Sequence, residues 1–349
     1  MSRNEPLTRQ AIEIAQPGQV RVVVETLGPP APGQVRVRTV CSAISAGTER
    51  LFFRGEVPDG MVVDSSIAAL GCGVAYPLRY GYACAGMIEA VGDPAHASAV
   101  GKPVFAFHPH ASHFLAGWDE LIGLDGWIGE DLDGPVAADF EGAALLPNVE
   151  TAVSLLQDGA PIVGERVAVI GLGIVGMLTS LQAKRFPSVE FAAIELTESR
   201  RDLARALQIP VLAPDEAAAK WAAKCDLVFE LSGNPEALNL ALDLVAFSGR
   251  VVVGSWYGRK RAALDLGGRF HRSRAQIVSS QVSTLAPHLT GRFDKARRME
   301  AALRLLRDVP ADRLVTHRFP AEDAAEAFRL LDETPGEALQ VLLTYDDPT

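Results

Sequence analysis

The stretch "VAVIGLGIVG", residues 167–176, joins a short apolar run to a glycine-rich turn and then to a helical pattern. The stretch contains three glycines with the spacing G-x-G-x-x-G, namely Gly171, Gly173 and Gly176. The first permits a tight turn, the second lets a pyrophosphate approach the backbone, and the third lets helix and strand pack closely. The helix that begins with Ile174 and Val175 offers its N-terminal donors to the same pyrophosphate. The stretch therefore predicts a strand–turn–helix unit that binds a dinucleotide.

An acid follows the glycine turn where a dinucleotide site needs one. Glu195 ends the next apolar run, "FAAIE". A carboxylate there can accept hydrogen bonds from the ribose hydroxyls of NAD, and it would repel the 2′-phosphate of NADP. Arg200 and Arg201 have two interpretations: they soften this preference, or they belong to a solvated helix face, which we favour. The sequence predicts NAD, with NADP less favoured.

Later strand ends supply further candidate cofactor contacts. Ser255 closes the apolar run "VVVGS", directly after Gly254, and Ser232 follows the run "LVFEL". The carboxyl ends of parallel strands are where doubly wound sheets bind their ligands. We therefore predict that these three residues contact the cofactor.

The chain changes character near residue 150. Before it, runs such as "QVRVVVETLG" and "GQVRVRTVCSAI" are rich in β-branched residues and are separated by the turn cluster "PPAPG". After it, apolar runs alternate with helical stretches such as "ESRRDLARALQ", which is typical of a parallel, doubly wound sheet. The fold class is therefore α/β, and we expect the closing run "ALQVLLTY" to return to the first domain.

Length and composition limit the classes of function. With 349 residues the chain exceeds one ordinary domain, so two are expected. A net charge of −10 argues against a nucleic-acid partner, whose phosphates need a basic surface. The absence of a membrane-length apolar run and of a signal-like start predicts a cytoplasmic location without membrane partners. The chain has four scattered cysteines, which we predict to be small buried side chains: Cys41, Cys72, Cys84 and Cys225.

Three further stretches resemble the medium-chain dehydrogenase/reductase family, the alcohol dehydrogenase superfamily. They are "GYACAGMIEAVG", "AALLPNVETAVSLL" and "LVTHRFPAEDAAEAFRLLDE". The resemblance covers nearly the whole chain. It implies a GroES-like β-rich catalytic domain over residues 1–150, completed by 291–349, and an NAD-binding Rossmann domain over 151–290. It also implies a homodimer through the last strand of the cofactor sheet, near "QIVSSQV".

Within the family, "ISAGTE" and "YPLRYGYACAG" are most similar to the branch that contains bacteriochlorophyllide a dehydrogenase. The resemblance also locates the positions where zinc-dependent members hold their metal. Ser45 stands at the cysteine position, Tyr82 and Ala83 at the histidine and glutamate positions, and Pro147 at the third ligand position. Hydroxyls are poor zinc ligands beside thiolate and imidazole, and proline offers none. We therefore expect no inherited zinc site.

The segment "FHPHASHF" holds His108, His110 and His113, three of the chain's seven histidines. Three interpretations stand beside one another: a rebuilt metal site, a surface turn, or a substrate-facing role for His108 or His110. A metal site needs a third or fourth ligand, and neighbouring sequence offers no obvious one. In the family, the residues after the strand that resembles "GKPVFAF" line the substrate pocket. A position of these histidines at the edge of that pocket is therefore favoured over a metal site.

Without zinc, a side chain must handle the proton that hydride transfer leaves behind. The candidates are Tyr82, His108, Thr48 and Glu49. Tyr82 occupies the vacated ligand position, His108 titrates near neutrality, and Thr48 resembles the family's proton-relay residue. Each has a structural alternative: cavity filling for Tyr82, turn capping for Thr48, and a solvated or helix-starting acid for Glu49. Thr151 resembles the threonine that approaches the nicotinamide.

Three functions follow from these residues. The first is a zinc-independent oxidoreductase that transfers hydride between NAD(H) and a secondary alcohol or ketone. The second is an NAD(P)H-dependent enone or quinone reductase, against which Glu195 argues because such enzymes usually prefer NADPH. The third is a dinucleotide-binding protein without catalysis, since a fold does not guarantee its chemistry.

Overall fold

The computed structural model describes residues 5–62, 67, 70–71, 73–125 and 137–345. Two compact units are present: a first unit of residues 1–147 and 306–349, and a second unit of residues 148–305. The sequence analysis places these boundaries after residues 150 and 290. No helix among the described residues is long and apolar enough to cross a membrane.

The secondary structure follows the alternation expected from the sequence. The strands are β1 (Leu7–Gln16), β2 (Gln19–Leu27), β3 (Gln34–Ile44), β4 (Cys84–Val91), β5 (Pro103–Ala106), β6 (His113–Gly117), β7 (Leu121–Gly123), β8 (Arg166–Ile170), β9 (Glu190–Ile194), β10 (Val211–Leu212), β11 (Cys225–Glu230), β12 (Val245–Val253), β13 (Gln276–Ser279), β14 (Val315–Pro320) and β15 (Gln340–Thr344). The α-helices are α1 (Glu49–Arg54), α2 (Ala137–Ala143), α3 (Leu146–Gly159), α4 (Ile174–Ala183), α5 (Glu198–Ala206), α6 (Pro214–Trp221), α7 (Ala237–Leu244), α8 (Lys295–Leu306), α9 (Ala311–Leu314) and α10 (Ala324–Glu333).

The first unit is built on antiparallel strands. β1 and β2 form a hairpin, and a larger sheet has the order β14-β15-β3-β4-β5-β7, with β6 also paired to β3. The apolar residues of β3, β4, β5 and β6 share a core cluster that includes Val37, Ile88 and Phe114. β15 runs antiparallel to β3, with Val341 opposite Ile44. The prediction that the closing run returns to the first domain is therefore confirmed.

The second unit contains a six-stranded parallel sheet of order β10-β9-β8-β11-β12-β13. The chain enters at the central strand β8, winds outward through β9 and β10, and then returns to β11 on the other side of β8. β8 and β11 therefore flank the point where the winding reverses, which is where such sheets bind ligands. This arrangement confirms the predicted doubly wound parallel sheet, and β13 is its edge strand.

The described cysteines are packed inside the two units. Cys41, Cys84 and Cys225 are free thiols and are buried, as the sequence predicted. Burial raises the pKa of the Cys225 thiol to about 12. Cys72 lies outside the described residues.

A charged network joins the β1–β2 hairpin to the strand-like segment before Gly81. The Glu25 carboxylate accepts hydrogen bonds of 2.8 Å from both terminal nitrogens of Arg79 and of 2.7 Å from Arg9. The Arg79 contacts, followed by those of Arg9, lower the pKa of Glu25 from its ordinary 4.5 to about 2 against the opposing effect of burial. Because the folded state holds this carboxyl ionised, the contribution is present above about pH 4.5 and is lost toward pH 2.

We expect Glu25→Gln to lower the free energy of unfolding at pH 7, because two arginines lose their anion. The deficit relative to the unsubstituted protein should shrink as the pH falls below about 4.5. Urea unfolding curves between pH 7 and pH 3.5 measure this, with the exposed Glu322→Gln as the matched control. A deficit that stays constant with pH would contradict the assigned network.

Candidate functional site

The glycine turn after β8 is packed so closely that side chains are excluded from two of its positions. Gly171 has φ +91°, and a Cβ built on it would lie 2.5 Å from the Cα of Ser232. A Cβ on Gly176 would lie 1.9 Å from the carbonyl oxygen of Gly171. Gly173, at the N-cap of α4, has no atom within 4 Å of its ideal Cβ and so faces open space. The turn has the shape that a pyrophosphate cradle requires.

Glu195 closes this turn from the end of β9. Its carboxylate is largely buried, and it accepts hydrogen bonds from the backbone N–H of Leu172 at 2.6 Å and of Thr197 at 2.8 Å. Each carboxylate oxygen has a second lone pair, so acceptor capacity remains for ribose hydroxyls. Arg201 donates to the backbone oxygens of Glu195 and Leu196 at 2.6 Å and pairs with Glu198.

A second acid, which the sequence analysis did not single out, lies at the end of β11. Glu230 is fully buried and accepts hydrogen bonds from the backbone N–H of Ser232 at 2.8 Å, from its hydroxyl, and from the phenol of Tyr257. Burial, followed by this contact with Glu230, raises the pKa of Tyr257 well above its ordinary value. Ser255 accepts the N–H of Gly233 at 2.9 Å. The sequence does contain a signal for this second acid, because Glu230 ends the apolar run "LVFE" in the same way that Glu195 ends "FAAIE".

The predicted contacts of the second unit therefore gather at the carboxyl ends of the parallel strands. Gly171 abuts Ser232, and Ser255 binds the loop that follows Ser232. A Cβ on Gly254 would lie 2.6 Å from side-chain carbons of Leu155 in α3 and of Leu231. Thr151 lies one turn before Leu155 in the same helix and is half-buried.

The helix that carries Thr151 is tied down by a buried ion pair. Arg298 of α8 donates through Nε and Nη2 to Glu150 Oε1 at 3.0 and 2.9 Å, and it also binds the backbone oxygens of Val282 and Thr284. Burial raises the pKa of Glu150, while Arg298 acts in the opposite direction. The sequence analysis did not find this contact, since its partners lie 148 residues apart.

In the first unit, two hydroxyls stand together at the positions of the family's first two zinc ligands. The phenol of Tyr82 donates a hydrogen bond of 2.6 Å to the Oγ of Ser45. The Ser45 hydroxyl hydrogen then remains available for another acceptor. Tyr82 is half-buried, and its ring meets that of Tyr80 edge to face at 6.0 Å.

Behind this pair lies a buried carboxylate and imidazole. Glu49 begins α1, and its Oε1 accepts the backbone N–H of Ser45 at 2.8 Å. Its Oε2 lies 2.9 Å from Nε2 of His110, and both side chains are only 1% exposed. Glu49 is therefore a helix-starting acid as one interpretation held, while the expectation that it is solvated is wrong.

The same imidazole continues into a chain of hydroxyls. Nδ1 of His110 lies 2.7 Å from the Oγ of Ser42, which lies 2.9 Å from the phenol of Tyr345. Ser42 and Tyr345 meet because β15 pairs with β3. Burial raises the pKa of Tyr345 well above its ordinary value, so its phenol stays protonated.

The other two predicted catalytic residues lie outside this network. His108 stacks on Phe114 with 4.1 Å between ring centroids, and its Nδ1 lies 2.8 Å from the backbone oxygen of Pro109. Burial lowers the pKa of His108 to about 4, so its ring is neutral near pH 7 and the expectation that it titrates near neutrality is wrong. Thr48 occupies the N-cap position of α1, and the structure describes no capping hydrogen bond from its side chain. Catalytic roles for both stay predictions.

The three histidines of residues 107–114 have separate partners. His108 stacks on Phe114, His110 binds Glu49 and Ser42, and Nδ1 of His113 lies 3.2 Å from the hydroxyl of Ser112. His110 and His113 are 1% and 6% exposed, so the surface-turn interpretation is wrong for these two. Within the described parts of the chain, no group of three or more metal-ligating side chains converges.

No family model matches the sequence. Among curated proteins, L-galactonate-5-dehydrogenase of Escherichia coli is 27% identical over 60% of this chain. The match covers 63% of that relative, so the chain spans less than two thirds of its length. The 2-desacetyl-2-hydroxyethyl bacteriochlorophyllide A dehydrogenase of Cereibacter sphaeroides is 25% identical over 96% of this chain and 98% of its own.

Solved structures resemble the chain over nearly all its length. The 2R,3R-butanediol dehydrogenase of Bacillus subtilis superposes with a TM-score of 0.76 at 18% identity, covering 97% of this chain and all of the other. An Escherichia coli alcohol dehydrogenase in complex with NADH has a TM-score of 0.73 at 17% identity, covering 97% and 99%. The chain has the medium-chain alcohol dehydrogenase fold. Its first unit is the GroES-like part and its second unit the Rossmann part, and the relatives support placement in that superfamily.

The side chains at the superfamily's zinc positions do not fit a zinc ion. Ser45 and Tyr82 contribute neutral hydroxyls that bond to each other, and Pro147 contributes no donor. Zinc sites in proteins use thiolate, imidazole and carboxylate ligands. Ala83, where a glutamate would stand, is buried and apolar.

We expect Gly176→Ala to destabilise the protein by about 2 kcal/mol, because the new methyl group would overlap the Gly171 carbonyl oxygen and force the turn apart. Urea unfolding monitored by circular dichroism measures the change. Gly267→Ala is the matched control, since its Cβ would meet nothing within 4 Å. Equal unfolding midpoints for the two variants would show that the turn is not packed as described.

Proposed function

We propose that this chain is an NAD-dependent oxidoreductase that transfers hydride between NAD(H) and a secondary alcohol or ketone, without zinc. The observation that carries the proposal is the glycine turn at the reversal point of the sheet, which excludes side chains at Gly171 and Gly176 and is closed by the Glu195 carboxylate. The relatives support it because they are named as dehydrogenases of alcohols and polyols.

The second unit offers the groups that would hold the cofactor. The N-terminus of α4 and the open face of Gly173 suit the pyrophosphate, and the remaining lone pairs of Glu195 suit the adenosine ribose. Thr151 and the loops carrying Ser232 and Ser255 remain the predicted contacts of the nicotinamide half. When bound, NAD supplies the hydride acceptor. Glu195 favours NAD because its negative charge would repel the 2′-phosphate of NADP.

The first unit offers the hydroxyls that would bind the substrate oxygen and, in ketone reduction, would pass it a proton from Tyr82 through Ser45, with solvent restoring the phenol. Tyr82 donates to Ser45, which leaves the Ser45 hydroxyl hydrogen to bind the oxygen of an alcohol or ketone. Donors preset toward that oxygen stabilise the negative charge that develops on it. The phenol behind Ser45 polarises the hydroxyl, because hydrogen bonds in a chain strengthen one another. Tyr82 keeps its proposed catalytic role in this way, with Ser45 as its partner.

Glu49 supports this pair rather than contacting the substrate. Its carboxylate fixes the backbone of Ser45 and is itself buried, so it has no free face toward an open pocket. The predicted homodimer stays part of the proposal. It would form through β13, the edge strand of the parallel sheet, whose Ile277 is 38% exposed.

We expect NADH to bind about 10-fold more tightly than NADPH, since the Glu195 carboxylate would repel the 2′-phosphate of NADPH. Glu195→Gln should shrink this ratio, because the repulsion disappears. Fluorescence titration measures both affinities, and the exposed Glu300→Gln serves as the control. Equal affinities in the unsubstituted protein would refute the NAD assignment.

We expect Tyr82→Phe to lower kcat for ketone reduction by about 100-fold, the usual effect of losing a preset donor at a developing oxyanion. The affinity for NADH should change less than 2-fold, because Tyr82 belongs to the first unit. Tyr76→Phe is the matched control, since its phenol binds the backbone oxygen of Phe52 instead of Ser45.

A screen of secondary alcohols and ketones, with enones in parallel, supplies the substrate for these assays. Dialysis against a zinc chelator should leave the turnover unchanged. Turnover that disappears with the chelator and returns with zinc would overturn the zinc-free proposal. Turnover of enones alone would favour the reductase alternative.

A further inference from the structure

The contact between His110 and Glu49 has no role in the chemistry described so far. It is a charged or dipolar contact in the interior, with each side chain only 1% exposed. Burying a carboxylate is costly unless hydrogen bonds compensate it. The Glu49 carboxylate has two described partners, the Ser45 backbone N–H at 2.8 Å and Nε2 of His110 at 2.9 Å. The imidazole is therefore a main source of compensation for this carboxylate.

The imidazole also touches the backbone that carries Tyr82. Gly81 has φ +118°, and a Cβ on it would lie 2.7 Å from Cδ2 and Nε2 of His110. The backbone N–H of His110 donates to the carbonyl oxygen of Tyr80 at 3.2 Å. His110 therefore reaches Ser45 through Glu49 and lies directly against the residue before Tyr82.

The hydroxyl chain behind the ring sets the direction of its hydrogen bonds. A protonated Tyr345 can donate to Ser42, whose own hydroxyl can then donate to Nδ1 of His110. That arrangement leaves Nε2 as the donor toward Glu49. The neighbouring His108 imidazole interacts electrostatically with His110, and the thiol of Cys84 in β4 donates to the backbone oxygen of His108.

We propose that His110 is a positioning residue of the site: by holding Glu49, it fixes Ser45 and with it the Ser45–Tyr82 hydroxyl pair. The inference rests on the proposed function for its catalytic meaning, while the geometry stands without it. A displacement of about 1 Å in a donor can lower the rate by about 100-fold. A residue that reaches the donor only through two successive hydrogen bonds, as His110 reaches Ser45 through Glu49, can therefore control turnover.

Two isosteric substitutions separate this role from simple packing. Glutamine at position 110 places an amide N–H near the position of Nε2 and can still donate to Glu49. Asparagine is shorter, so it can reach Ser42 but not Glu49. We expect His110→Gln to keep kcat within about 3-fold and His110→Asn to lower it by about 30-fold, with NADH affinity unchanged in both. Equal losses in the two variants would overturn the proposal, since they would indicate lost packing alone.

A spectroscopic measurement tests the same proposal without turnover. The Cζ resonance of Tyr82 in protein labelled with ¹³C-tyrosine is identified by its absence in Tyr82→Phe. It should move in His110→Asn and stay in place in His110→Gln, because only the first releases Glu49 and Ser45. His113→Asn is the matched control, a second buried histidine of the same segment that contacts Ser112 instead.

The two measurements distinguish the proposals. If no alcohol or ketone is turned over, the proposed function fails, and the Tyr82 resonance still decides the role of His110. If the unsubstituted protein is active and the resonance and kcat of His110→Asn match it, the positioning role fails and the function stands. Should His110→Asn not fold, Glu49→Gln replaces it. We expect the same loss of kcat there, because the Ser45 N–H and Nε2 of His110 bind different oxygens of Glu49, and glutamine keeps only one of them as an acceptor.

Discussion

The structure depends on one close approach of backbone to backbone, where the turn after β8 meets the turn after β11. Gly171 and Ser232 approach so closely that a methyl group on the glycine would overlap the serine backbone. A second close contact restricts the same turn, because Gly176 in α4 packs against the carbonyl oxygen of Gly171. These contacts set α4 against the sheet and leave the face of Gly173 open. Because the packing leaves no room for a side chain at Gly171 or Gly176, substitution of either by any larger residue alters this turn.

The first unit holds a cluster of polar side chains whose geometry depends on contacts within the protein interior. The phenol of Tyr82 and the hydroxyl of Ser45 are in contact, and the buried carboxylate of Glu49 binds the Ser45 backbone. A metal fixes its ligands by strong coordination bonds, whereas hydroxyls keep their geometry only if packing and neighbouring hydrogen bonds hold them. The Glu49–His110 contact and the hydroxyl chain to Tyr345 supply this support from the interior.

The parallel sheet, its glycine turn and the acid at the end of β9 were predictable from the sequence, because each is a local pattern of a few residues. The return of β15 was also predictable, since an apolar run after the last helix needs a sheet to join. The partner of Glu49 was not. His110 lies 61 residues away, and the contact depends on the register of β3 with β4 and on the turn before β6. Histidine spacing alone carries no information on which face each ring takes, so His108 seemed the better candidate for proton transfer.

The path of the chain through the first unit has a consequence for biosynthesis. β15 lies between β14 and β3, and Tyr345, directly after it, completes the hydrogen-bonded chain to His110. A ribosome therefore finishes the entire second unit before it makes the strand that seals the first. During this interval β3 lacks β15, one of its neighbouring strands, and Ser42 lacks its phenol partner. The nascent chain would carry a complete second unit while the edge of β3 in the first unit is still open, a state in which holding chaperones have the most to protect.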